Sequence, residues 1–144
     1  MIRRGTVFLL DTNVVSELRP GKPGQSAEVR AWAAKQPVSR LFISSITVLE
    51  LELGVLRLER RTPPEGGTLR AWLTQLRDGF QDRILPFSAR TAELCAGLHV
   101  PDRKSERDAM IGATALEHGF ALVTRNVRDF SAMALQLVNP WEPQ

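Results

Sequence analysis

The stretch Phe8–Leu18, FLLDTNVVSEL, decides how the rest of the chain is read. An apolar run, Val7-Phe8-Leu9-Leu10, stops at Asp11, and Thr12, Asn13 and Glu17 follow. A short apolar run that ends at a polar residue reads as a buried strand. Asp11 then has two readings. It is a favoured helix N-cap, because its side-chain oxygen accepts a hydrogen bond from a first-turn N–H. It is also a carboxylate at the carboxyl end of a strand, the place where open α/β sheets bind ligands.

Working outward, the same alternation recurs. Strands are predicted over 6–10, 41–45, 84–87, 120–124 and 135–138, and helices over 12–18, 25–36, 46–60, 67–80, 88–100 and 106–119. In the helix over 67–80, Leu69, Leu73, Leu76 and Phe80 share one side. Gly119 is placed to end the 106–119 helix as a C-cap. Two segments punctuated by Pro and Gly, RPGKPGQ (19–25) and RRTPPEGG (60–67), read as loops. Continuously apolar strands separated by helices imply a parallel sheet covered on both faces, a three-layer α/β/α fold with about five strands.

The chain has 144 residues, one domain's worth, and no repeat or linker divides it. No apolar run approaches the roughly 18 residues that span a membrane. The amino terminus carries two arginines but only a five-residue apolar strand behind them, so a cytoplasmic protein is expected. The single cysteine, Cys95, excludes internal disulfides and cysteine-based zinc sites, and it lies in an apolar helical stripe, TAELCAGL. The net charge is +3, and 16 of the 19 basic residues are arginine. Arginine suits bidentate phosphate contact, but a biased nucleotide composition in the gene would leave the same mark.

Further polar groups fall near strand ends or helix starts. Glu50 lies early in the predicted helix over 46–60, with Ile46, Leu53 and Gly54 as helical neighbours, so it points inward, whereas Glu52 lies about 200° round the helix on the solvated side. A carboxylate on a buried face is costly unless something positive meets it. Asp108 opens the helix before the fourth strand; Ser105 and Asp108 also fit a capping box. The fourth strand runs into VTRNVRDF, where Thr124, Asn126 and Asp129 are either site groups or loop residues bonding their own backbone. Taken together, these acids would converge at one sheet edge, where like charges repel unless a cation is present. Mg²⁺ or Mn²⁺ fits oxygen donors of this kind and supports phosphodiester hydrolysis. His99 and His118, near helix ends, read as surface or capping residues.

The blocks LLDTNVVSEL, ISSITVLELELGV, RDAMIGATALEHGFALVTRNVRDF and the tail NPW, in that order from Thr6 to Trp141, resemble the PIN domain, specifically VapC-type toxins and their FitB-like relatives. The resemblance implies a metal-dependent ribonuclease, the toxin of a toxin–antitoxin pair, leaving a 5′-phosphate and a 3′-hydroxyl. Asp11, Glu50 and Asp108 match the family's three principal acids. Thr12, Asn13, Ser45 and Thr124 match polar positions that orient them. The family often has a fourth ligand at the position held here by Asn126, an uncharged departure that Asp129 could offset. The resemblance also implies an RNA substrate, with tRNA among the candidates, a VapB-like antitoxin that reaches the acidic pocket with an arginine, a homodimer, and DNA contact only through the antitoxin. Arg125, Arg128, Arg57, Arg60 and Arg61 are candidates for RNA backbone contact, or else a solvated surface. Trp32, Trp72, Leu51 and Leu58 offer either a partner surface or core packing.

Two rivals stand beside this reading. A haloacid-dehalogenase-like phosphatase also puts an aspartate after its first strand, but it resembles D-x-D, and position 13 is Asn. A non-catalytic PIN-fold module would bind RNA or an antitoxin without cutting, and Asn126 keeps that alternative open.

Overall fold

A computed structural model describes residues 2–144. Five parallel strands form its centre in the order β3-β2-β1-β4-β5: β1 (Phe8–Leu10), β2 (Leu41–Ser44), β3 (Ile84–Leu85), β4 (Ala121–Val123) and β5 (Leu137–Val138). β1 pairs with β2 through Phe8 and Leu41, and with β4 through Leu10 and Val123. The chain lays down β1, β2 and β3 in one direction, then returns to the other side of β1 for β4 and β5. The reversal falls between β1 and β4, and the carboxyl ends of strands at such a point are where doubly wound sheets hold ligands.

The two-residue period of the strands splits the core into two layers. Phe8, Leu10, Leu41, Ile43, Ala121 and Val123 face one side, with Val14, Val15, Val29, Trp32, Leu51, Val55 and Leu73. These come from α1 (Thr12–Glu17), α2 (Ala27–Ala34), α3 (Ser45–Arg61) and α4 (Pro63–Gly79). Leu9 and Leu122 face the other side, with Ile111, Ala115, Phe130 and Met133. That layer holds α5 (Ala89–Leu98), α6 (Glu106–His118) and α7 (Val127–Phe130). Each fully buried aliphatic or aromatic side chain contributes roughly 1.5–3 kcal/mol. The three-layer fold with its five-stranded parallel sheet is as the sequence predicts.

The segment over 60–67 is corrected. It is no loop: α3 runs to Arg61, and α4 starts at Pro63, with Thr62 as the only residue between them. Proline suits the first turn of a helix, where its missing N–H has no partner to lose. Gly66 is there for contact. A Cβ at that position would stand 2.4 Å from Glu59 Cα, so the bare backbone lets α4 lie tightly along α3. Gly119 ends α6 in the left-handed region at φ 68°, as its place in the sequence suggests. Thr124 lies just past β4, and the four-residue α7, unmarked in the sequence reading, follows closely.

Trp32 and Leu51 are core residues rather than a partner surface. Trp32 is 7% exposed and meets Phe8 edge-on at 5.1 Å. Trp72 packs against the same core, and Leu58 is half-buried. The large apolar side chains that α3 leaves exposed are Leu49 and Leu56. Cys95 is buried beside Ala109 and Ala113, and burial pushes its thiol up, away from nucleophilic use. His99 is the C-cap of α5, and its ring nitrogen accepts the Lys104 N–H at 3.0 Å. Among the described residues no helix is long and apolar enough to cross a membrane.

Candidate metal centre

Asp11 resolves its two readings by filling both. It is the N-cap of α1, and one carboxylate oxygen accepts the Thr12 N–H at 2.8 Å. The other accepts the Thr124 hydroxyl at 2.8 Å. That second bond joins the end of β1 to the end of β4 across the switch point. Thr124 is wholly buried, and its oxygen in turn accepts the Asn126 N–H at 3.0 Å. Asn13 lies over the pair, with Nδ2 at 3.4 Å from both the Asp11 carboxylate and the Thr124 hydroxyl, and its carbonyl accepts the Arg125 N–H at 3.3 Å.

Glu50 arrives from α3, half-buried, with its Oε1 accepting the Thr12 hydroxyl at 2.6 Å. Thr12 also meets the Thr47 hydroxyl at 3.0 Å. Thr47 and Ser44 are fully buried; Ser44 caps α3 by accepting the Thr47 N–H at 3.1 Å. Among the described residues Ser45 makes no side-chain hydrogen bond, so the orienting role expected of it falls to the residues on either side. Its neighbours were hidden in the sequence because a buried Ser and Thr at a β-branched helix start look like ordinary strand-end residues. Their one signal was Ser44 just before the predicted helix and three residues before Thr47, a position that suits an N-cap.

Asp108 sits in the first turn of α6, half-buried. Ser105 is the N-cap but takes no side-chain bond from the first turn, so the predicted capping box is absent. Burial raises the Asp108 carboxyl above its ordinary value, and the like charges of Asp129 and Glu50 add to that. Asp11 is raised to about 6, first by burial, against the pull of its Thr124 and Thr12 bonds, with Asp108 and Glu50 pushing the same way as burial. Asp11 thus feels the charges of Asp108 and Glu50, and Asp108 those of Asp129 and Glu50. Asp129 and Asn126 are both exposed, and Asn126 is the N-cap of α7.

The arginines divide. Arg125 stacks on Trp141, its guanidinium 5.1 Å from the ring centroid, and its charge also reaches Glu17. Arg128 is exposed close after β4. Arg57, Arg60 and Arg61 are exposed on α3, the nearest of them two turns beyond Glu50, or roughly 10 Å along the axis. A cation that the sequence reading missed is closer: Arg107 Nη1 lies 3.6 Å from Glu50 Oε2.

An oxygen-only donor set suits a hard divalent cation. Among the described residues no three acidic, histidine or cysteine side chains converge closely enough to form a ligand cluster by themselves. Glu50 is turned toward Thr12 and Arg107. The site still fits Mg²⁺ or Mn²⁺, because Mg²⁺ keeps several waters and needs only one or two direct carboxylates. The raised carboxyls point the same way, since a bound cation would offset the burial and the like-charge repulsion that raise them.

The family model described as PIN domain matches residues 8–135. The chain is 36% identical over 149 residues to "VapC ribonuclease Y4jK" of Sinorhizobium fredii, covering 95% of this chain and 99% of that protein. It is 33% identical over 141 residues to "Toxin FitB" of Neisseria gonorrhoeae, covering 94% and 99%. Its fold is similar to the structure of FitAB bound to an IR36 DNA fragment, with a TM-score of 0.87, 30% identity, and coverage of 96% of this chain and 98% of that one.

Proposed function

The chain belongs to the PIN-domain family, among its VapC- and FitB-like toxins, and from that membership we propose that it is a divalent-metal-dependent endoribonuclease, the toxin of a toxin–antitoxin pair. One observation carries the reading: Asp11, at the topological switch point, is buried, held by bonds to both of its oxygens, and pushed upward by the like charges of Asp108 and Glu50, which come from two other segments.

Asp11 is the fixed element. The Thr124 hydroxyl and Thr12 N–H hold its carboxylate in one orientation, and the Asn13 amide leans on the same bond. Thr12 and Thr47 orient Glu50. Asp108 and Asp129 bring negative charge from the α6 and α7 side. Asp11, Asp108 and Glu50 would hold Mg²⁺ or Mn²⁺, with Asp129 or Asn126 in reach as further oxygen donors. When bound, the ion polarises the scissile phosphate, lowers the pKa of attacking water and steadies the leaving oxygen. Arg125 and Arg128, at the rim, would take the RNA backbone, and the exposed arginines of α3 would extend that track. A VapB-like antitoxin is the proposed partner, as the FitAB and VapBC complexes suggest, with homodimerisation and DNA contact made through the antitoxin.

The test is cleavage of a labelled total-tRNA pool by purified, antitoxin-free protein, with Mg²⁺, with EDTA, and as Asp11→Asn. Metal-dependent cutting that disappears in the variant is expected. Cutting that survives Asp11→Asn overturns the reading. The uncharged Asn126 favours one second reading, a PIN module that binds RNA without cutting; folded protein that binds RNA but never cleaves it would select that module.

A further inference from the structure

We propose that Arg107 is a further functional residue of this pocket: it holds Glu50 as a counter-cation until a divalent cation takes that carboxylate, and it then faces the phosphates of the RNA. The inference rests on the metal-dependent reading above and adds to it a residue that controls occupancy.

The geometry is specific. Arg107 directly precedes Asp108 in the first turn of α6, and its guanidinium reaches across to Glu50 on α3. Its Nη1 lies 3.6 Å from Glu50 Oε2, beyond ordinary hydrogen-bond distance. The arginine side chain is 46% exposed and the glutamate's 26%. Glu50 uses its other oxygen on Thr12 at 2.6 Å, so the oxygen facing Arg107 is the one free to change partner.

Arg70 shows what a structural pair looks like here. It meets Glu52 at 2.9 Å and Glu59 at 3.0 and 3.2 Å. Arg107 has one long, half-exposed contact, and pairs of that kind hold little stability. It is placed where it costs something, since a fixed positive charge beside a cation site weakens cation binding. A guanidinium at a pocket mouth matches phosphate bidentately, which gives that cost a use. As phosphate draws Arg107 away, Glu50 is released to the cation, so RNA and cation binding favour one another.

Mn²⁺ titrated calorimetrically into the full chain without RNA tests the first half. Arg107→Gln is expected to tighten Mn²⁺ binding on the order of 5- to 10-fold, Arg107→Lys to stay near wild type, and Arg103→Gln, which removes the same charge elsewhere on the α6 approach, to change nothing. Unchanged or weaker Mn²⁺ binding in Arg107→Gln overturns the counter-cation role. Fluorescence anisotropy with a non-cleavable 2′-O-methyl RNA tests the second half. Arg107→Gln is expected to weaken binding and to flatten its salt dependence by about one phosphate contact. Equal RNA affinity overturns the phosphate role. If Asp11→Asn binds Mn²⁺ as wild type does, the metal site itself is misplaced; if that variant loses Mn²⁺ while Arg107→Gln matches wild type, only the Arg107 inference fails.

Discussion

Glu50 and Glu52 stand two residues apart on α3 and meet opposite surroundings. Glu52 faces α4, where Arg70 grips it and Glu59 together and holds its carboxyl below the usual range. Glu50 faces the strand ends, where Asp11 and Asp108 are raised first by burial and then by neighbouring carboxylates, and the nearest cation is the loosely placed Arg107. One helix thus carries a compensated carboxylate on the hairpin side and an uncompensated set on the pocket side. Structure explains the first group completely. The second is left short of positive charge, which is the ground for proposing a divalent cation there.

Substitutions sharpen that contrast. The largest effect is expected in the pocket: Asp11→Asn and Asp108→Asn should each reduce tRNA cleavage by more than about 100-fold, since even residues that merely orient metal ligands are worth roughly 10- to 100-fold. Thr124→Val removes the hydroxyl that aims Asp11 across the switch point. It should reduce cleavage about 10- to 100-fold while the fold persists, as circular dichroism would report. Gly66→Ala strikes the hairpin instead. A methyl 2.4 Å from Glu59 Cα must push α3 and α4 apart, costing about 1–3 kcal/mol in urea unfolding, with cleavage per folded molecule retained. The smallest effect is expected from Glu52→Gln, which should leave both cleavage and Mg²⁺ response unchanged. A pocket-sized loss in that variant would break the comparison.

The pocket was more legible than its supports. Asp11 and Glu50 announced themselves because each follows a clear apolar run, and Asp108 because it opens a helix of small residues leading into β4. The Thr124 role was readable from its place just past β4. Ser44 and Thr47 were not, because burial of a small hydroxyl is a tertiary fact that local pattern does not carry. Arg107 was hidden for a related reason: its partner lies on another helix. The PPEGG segment was misread because proline and glycine mark loops on average, yet here one starts a helix and the other clears space for its neighbour. The two-residue β3 and β5 were placed but drawn too long, since pairing on a sheet edge sets their ends.

The central claim is that the strand-end carboxylates await a cation, and the stability of the metal-free protein against pH tests it most directly. Asp11 in the native state titrates near 6 against an ordinary 3.8. The native state therefore binds more protons than the unfolded one across that window, and stability falls as pH rises from about 4 through about 6. The full penalty, up to roughly 3 kcal/mol less what relaxation recovers, is present at pH 8. Thermal melts of the metal-free protein should show melting temperature dropping from pH 5 to pH 8 in wild type, with excess Mg²⁺ restoring it at pH 8, and Asp11→Asn showing a smaller drop, the part left by Asp108, and no restoration. A wild type indifferent to Mg²⁺ at pH 8, or an Asp11→Asn variant that gains as much from Mg²⁺ as wild type does, would contradict the account.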